Sequence, residues 1–213
     1  MITLQESYLS VRSGSSSSYG GNQMQSNDPI IRKCGCGPVA AMDTLWYLEH
    51  RGQTDSQMSL DKYNIELHAL TRRYFPLIPP FGINGAFFVV GMNCLLRERK
   101  IPYRAVWMLS GQKLWDRVEE MLRRDLPVIL SVGPNFPAFW ANDRLPFYVR
   151  TVDGVFRKAA ATKGHYVTVT GLDGNWVQIS SWGRRLYINR TEYMLYTRKH
   201  SNFVFSNILY LRA

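Results

Sequence analysis

Tyr166-Val167-Thr168-Val169-Thr170, the segment Leu172-Asp173-Gly174-Asn175 and Trp176-Val177-Gln178-Ile179-Ser180 make up the most regular stretch of this sequence. Apolar and polar side chains alternate on both sides of an Asp-Gly pair, which is the pattern of a β-hairpin with one face on a core. A turn that sets Leu172 opposite Asn175 brings Val167 opposite Ser180. Ser180 then becomes the diagonal neighbour of His165 on one face.

Downstream of the hairpin, residues 186–188 read as a strand, 190–198 as a short helix and 203–211 as a closing apolar strand. Upstream lies a second hairpin, 147–151 with 155–159, about Asp153-Gly154, preceded by a Pro-rich aromatic loop over 134–146 with Phe136, Phe139 and Trp140. Before that come a strand at 103–108, an amphipathic helix at 110–124 and an apolar strand at 127–132. The first half is helical: a buried helix from just after Cys36 to Gly52, then helices at 60–74 and 85–99. Helices first and strands later, without sustained βαβ alternation, predict an α+β fold with an antiparallel sheet.

The 213 residues, 46% of them hydrophobic, can fill one sizeable core and exclude disordered, collagenous and coiled-coil classes. Residues 13–21, Ser-Gly-Ser-Ser-Ser-Ser-Tyr-Gly-Gly, predict a flexible loop within an N-terminal arm over 1–30, leaving 31–213 as a single domain. No apolar run approaches the ~20 residues of a membrane span and the first residues lack a signal-peptide pattern, so a cytoplasmic location is expected. The net charge of +10 suits an acidic partner or substrate. Because the basic residues are scattered as short pairs, nucleic acid is the less favoured partner.

Three cysteines, Cys34, Cys36 and Cys94, are too few and odd in number for a disulfide framework, and Cys34-Gly35-Cys36 lacks the spacing of a zinc site. Neither a metal nor a cofactor is expected. Cys36 sits where a Gly-flanked loop enters an apolar helix, at the positive end of the dipole, a setting that favours thiolate. Cys34 lies two residues further out and gains less; Cys94 reads as a core thiol in its helix. His165 opens the alternating strand pair roughly 130 residues downstream of Cys36, a separation that suits a nucleophile and its base. With Ser180 as hydroxyl acceptor behind the imidazole, the three residues follow nucleophile, base and orienter logic. His50, His68 and His200 have no matching motif and are expected at the surface.

These residues resemble a known family. Gly35-Cys36-Gly37-Pro38-Val39-Ala40-Ala41 is similar to the nucleophile motif of papain-like cysteine peptidases, especially the bacterial branch of double-glycine-leader peptidases that process bacteriocin precursors. Gly164-His165-Tyr166-Val167-Thr168-Val169-Thr170-Gly171 resembles that branch's histidine strand, and Ile179-Ser180-Ser181-Trp182-Gly183 resembles the Asn-Ser-Trp-Gly segment of papain itself. The resemblance implies a papain-like fold in which the nucleophile helix packs on a C-terminal antiparallel sheet. It also implies Cys36 as nucleophile, His165 as general base and acid, and a peptide or protein as substrate.

Two positions depart from the family. Ser180 stands where papain-like enzymes place the Asn that orients the histidine, the bacterial branch having an Asp slightly further on, and Ile30 occupies the place of the oxyanion-hole Gln, six residues before the nucleophile. Gln23, in Gly20-Gly21-Asn22-Gln23, is the candidate replacement if the arm folds back, since the glycine pair allows a close backbone approach. The expected function is hydrolysis of a peptide or isopeptide bond through an acyl-enzyme. The alternatives are acyl transfer to an amine by the same residues, or a silent fold that only binds peptides or proteins.

Overall fold

The computed structural model describes residues 1–53, 56–133 and 142–213. Its helical part comprises α1 (Pro29–Cys34), α2 (Cys36–Glu49), α3 (Leu60–Tyr74) and α4 (Gly85–Glu98), with α5 (Leu114–Arg123) and α6 (Arg190–His200) set among the later strands. The strands are β1 (Ile2–Thr3), β2 (Ser10–Ser13), β3 (Ser16–Tyr19), β4 (Gln57–Ser59), β5 (Arg104–Trp107), β6 (Val128–Val132), β7 (Leu145–Arg150), β8 (Phe156–Thr162), β9 (His165–Asp173), β10 (Trp176–Ser181), β11 (Arg184–Asn189) and β12 (Ile208–Arg212). The fold is α+β. Among the described residues the large sheet runs β5-β12-β6-β9-β10-β11-β7-β8, with antiparallel neighbours and β1 added against the turn end of β9.

Helix α2 is apolar on nearly every side, with Gly37 to Tyr47 all buried, as a helix enclosed by its own domain must be. It lies across β9 and β6 and is flanked by α3 and α4. Its first residue, Cys36, thereby arrives at the start of β9, where His165 stands opposite Val132 at the end of β6. The sequence predicts a helix beginning just after Cys36; the helix takes in Cys36 itself and is preceded, across Gly35 alone, by α1.

Helix α1 begins within the last residues of the expected arm. Asp28 accepts from the backbone N–H of Ile30 at 2.7 Å and of Ile31 at 3.3 Å, and Pro29 takes the first helical position. Asp-Pro is here a start signal, because proline's missing N–H costs nothing in the first turn.

Residues 1–30 correct the expectation of a flexible arm and loop. Serines 13–18 belong to the hairpin β2–β3, Leu9 and Val11 are fully buried, and β2 pairs in parallel with β4. Leu4 N–H donates to the Thr170 carbonyl at 3.0 Å and Gln5 N–H to the Asp125 carboxylate at 2.7 Å, which fastens this end across β9 and the end of α5. Periodicity over so short a hairpin is weak, and tertiary pairing overrides the Gly/Ser composition. Cys94, expected in the core, is exposed on the outer face of α4. Phe136, Phe139 and Trp140 lie outside the described residues; Phe147 is in β7, its ring 5.4 Å from that of Trp182. No described helix is long and apolar enough to cross a membrane.

Candidate active site

Cys36, His165 and Gln23 line one small cavity together with Asp43, Tyr166, Thr168, Ser180, Ser181 and Trp182. Cys34 is not among its lining residues; its thiol donates to the Ile30 carbonyl at 3.2 Å, within α1. Ile30 itself is exposed, so the position six residues before Cys36 contributes nothing to the cavity.

Two opposing effects act on the Cys36 sulfur. Burial pushes its thiol upward from the ordinary range, and the backbone N–H groups of Tyr166, Gly37 and Cys36 pull it back down. Burial is the larger, so the thiolate expected from the helix dipole alone is not the resting form. His165 is 9% exposed and burial lowers its pKa from 6.5 to about 3. The resting pair is a neutral thiol beside a neutral imidazole.

The imidazole is held on two sides. Its Nε2 lies 2.8 Å from the Ser181 hydroxyl, which leaves Nδ1 for a second partner. The Trp182 indole stacks on it at 4.6 Å and 23°. Trp182 reaches this place through a turn in which it and Gly183 both take positive φ, 50° and 70°.

The hydroxyl behind the imidazole is therefore that of Ser181, not that of Ser180 as expected from the sequence. The turn occupies Gly174-Asn175, with Trp176 opposite Asp173, and the register then shifts between Gln178 and Ile179: Gln178 faces Gly171 but Ile179 faces Val169. The extra residue, Thr170, makes a β-bulge, and a one-residue slip moves every later side chain to the other face. Ser180 consequently stands opposite Thr168 and donates to the Tyr19 carbonyl at 2.9 Å, while continuing the register one step sets Ser181 opposite Val167, on the His165 side. Gly171 marks the bulge, since a Cβ there would meet Thr3 Cγ2 of β1 at 2.9 Å.

Gln23 reaches the cavity from the arm. It begins a short 3-10 turn, is 8% exposed, and its Nε2 donates to the Arg32 carbonyl at 3.0 Å, which leaves its other N–H for a ligand. The chain turns into this position at Gly20-Gly21. Gly20 has φ +73°, a Cβ on it would lie 2.3 Å from Ser180 Oγ, and one on Gly21 would lie 1.8 Å from Tyr63 Oη. Only glycine fits this corner.

No family model matches this chain, and no curated protein does. A solved structure that it matches is that of a protein from Bacillus anthracis described as a "putative C39-like peptidase", at 13% identity and a TM-score of 0.43, over 82% of this chain and 88% of the other.

Sequence reasoning missed Ser181, Trp182 and Asp43. An isolated glycine within a strand pattern signals a bulge, and Gly171 carried that signal. Asp43 is a carboxylate two helical turns after Cys36 in the buried, mostly apolar part of its helix, hence on the same face. Among the described residues no group of His, Cys, Asp and Glu is arranged to hold a metal ion.

The buried imidazole makes stability depend on pH. The unfolded His165 takes up a proton near pH 6.5 and the folded one only near 3. Its contribution is therefore present above 6.5 and lost as the pH falls towards 3, at up to ~1.4 kcal/mol per pH unit. Asp43, raised by burial from 3.8 to about 6, acts with opposite sign between those values, so the effect of His165 is read by difference. Urea midpoints of the wild type and His165→Gln are expected to diverge between pH 7 and 4, the wild type losing more. Parallel pH profiles would refute the buried neutral histidine.

Proposed function

We propose that this protein is a papain-like thiol hydrolase that cleaves a peptide or isopeptide bond through an acyl-enzyme on Cys36. The observation that carries the reading is the convergence of Cys36, His165 and Gln23 on one cavity, with the far nitrogen of the imidazole held by Ser181.

In this reading the Cys36 sulfur attacks the carbonyl carbon as its proton passes to His165 Nδ1. The two neutral groups become an ion pair only as the new C–S bond forms. The negative charge that develops on the carbonyl oxygen is met by the free N–H of Gln23 and the backbone N–H of Cys36 at the helix start. Collapse breaks the bond to the leaving amine, which takes its proton from the imidazolium; water, deprotonated by His165, then releases the acyl group. Ser181 keeps Nδ1 turned to the sulfur, and Trp182 holds the ring plane.

The test uses p-nitrophenyl acetate, an activated acyl donor that needs no knowledge of the natural substrate. Release of p-nitrophenolate in a burst, with one acetyl group found on the Cys36 peptide by mass spectrometry, is expected. Acetylation spread over surface lysines, with none on Cys36, would overturn the reading.

Ser181→Ala is expected to slow acylation about fivefold, the worth of one neutral hydrogen bond of ~1 kcal/mol, and to do so more than Ser180→Ala, whose hydroxyl touches no ring nitrogen. Stopped-flow acylation rates check this order, and the reverse order would return the orienting role to Ser180.

A further inference from the structure

Asp43 is 1% exposed and stands in α2 beneath the candidate site, yet the chemistry above gives it no task. Its two oxygens accept the Gly21 backbone N–H at 3.1 and 3.0 Å, the Tyr63 hydroxyl donates to it at 2.9 Å and the Tyr8 hydroxyl at 3.2 Å. A buried carboxylate met by this many donors is costly to assemble, and its partners converge from three separate parts of the chain: the segment before β2, the glycine corner after β3, and α3. The same corner is bound on its other side, where Tyr19 N–H donates to the Gly183 carbonyl and Gly183 N–H to the Gly21 carbonyl, each at 2.9 Å. Gln23 follows Gly21 by two residues, so the position of its amide is set by what holds this corner.

We propose that Asp43 is a positioning residue that clamps Gly21 and thereby aims Gln23 at the carbonyl oxygen of the acyl group being transferred to Cys36. The inference rests on the acyl-transfer reading of the site. It adds a residue that touches neither the sulfur nor the imidazole and acts only on the oxyanion side. Because the oxyanion donor arrives on a corner fastened by a carboxylate, the clamp responds to acid. The titratable groups facing Asp43 are Tyr8 and Tyr63, with Tyr19 beside Tyr8; Cys36 on the same helix and His165 on β9 share the cavity. Burial raises the Asp43 carboxyl to about 6, and protonation there removes one of the two acceptors that Gly21 N–H uses.

Two reactions at the same sulfur separate this role from general damage. Acylation by p-nitrophenyl acetate forms a C–S bond, builds an oxyanion and expels p-nitrophenolate. Alkylation by iodoacetamide forms a C–S bond and expels iodide with no oxyanion. The ratio of the two rates therefore reports the oxyanion donors and cancels thiolate formation. Gln23→Ala is expected to lower the ratio about 10²-fold, and Asp43→Ala at least tenfold, with alkylation within about twofold of wild type in both. The double variant is expected to fall no further than Gln23→Ala alone, because one acts through the other. In the wild type the ratio steps down as the pH falls through about 6; in Asp43→Asn, which keeps the volume and one acceptor, the ratio is expected to be flat. Additive losses in the double variant, or an Asp43→Asn ratio that still steps near that pH, would overturn the clamp.

Hydrogen exchange of the Gly21 amide gives an arm independent of activity. It is expected to be slow in the wild type and at least tenfold faster in Asp43→Asn, whose far-ultraviolet circular dichroism confirms folding. Equal exchange refutes the clamp even where acylation is absent. Wild-type protein that fails to acylate at Cys36, with Gly21 protected by Asp43, refutes the acyl-transfer reading and leaves the clamp standing.

Discussion

Cys36→Ala is expected to abolish acylation and any peptide-bond cleavage, a loss of 10³-fold or more, while unfolding within about 1 kcal/mol of the wild type. The reason lies in what the side chain does and does not touch. Cys36 is half-buried at the first turn of α2 and its sulfur faces the cavity, whereas the packing of the helix is carried by Ala40, Ala41, Met42 and Leu45. Removing one sulfur there deletes the proposed attacking atom and little apolar area. Iodoacetamide consumption should drop together with acylation, leaving the slower reaction of the exposed Cys94. Turnover that survives in purified Cys36→Ala would place the nucleophile elsewhere.

Gly21→Ala is expected to be strongly damaging, lowering stability by roughly 3 kcal/mol and slowing acylation in whatever protein remains folded. The added carbon would sit 1.8 Å from Tyr63 Oη and 2.2 Å from its Cζ. That ring has no room to retreat, since Tyr63 is 1% exposed and its hydroxyl is bonded to Asp43. Relief must come from moving the corner itself, which breaks the bonds of Gly21 to Asp43 and to Gly183 and carries Gln23 away from Cys36. By contrast, alanine at Gly174 or Gly154 meets nothing within 4 Å, and its cost is limited to their positive φ. Urea unfolding of the three variants ranks them; a Gly21→Ala midpoint equal to that of Gly154→Ala would show that the corner is not under the constraint described.

Regular elements with long apolar periods are legible in the amino-acid sequence. Helices at residues 60–74 and 85–99 match α3 and α4 to within a residue, and the strand at 127–132 is β6, because an amphipathic or fully buried run states its period many times over. What escapes is whatever depends on pairing partners far away along the chain. Strand β2 has four residues, three of them polar, and becomes a strand only because β3 and β4 supply its hydrogen bonds. The bulge at Thr170 is likewise invisible to a strict alternation, yet one residue of slip exchanges Ser180 for Ser181 behind His165. Cys36 and His165 can be singled out because their local settings, a helix start and a strand start, are written nearby in the chain. Asp43 cannot be given a role that way: its burial inside an apolar helix makes sense only once Gly21, Tyr8 and Tyr63 are seen to surround it.

The threading of the large sheet carries a consequence for synthesis. Strand β12, at residues 208–212, lies between β5 and β6, and β6 in turn flanks the strand that carries His165. A chain emerging amino terminus first presents Gln23, Cys36 and the whole helical part long before the central strands of its sheet have their partners. Until residues 208–212 have emerged, β6 lacks its neighbour on one side. The Cys36 thiol thus emerges before the strand that carries His165 has its sheet around it, and under the proposed acyl-transfer chemistry a ribosome-bound chain truncated before β12 should carry a cysteine that alkylates but does not acylate.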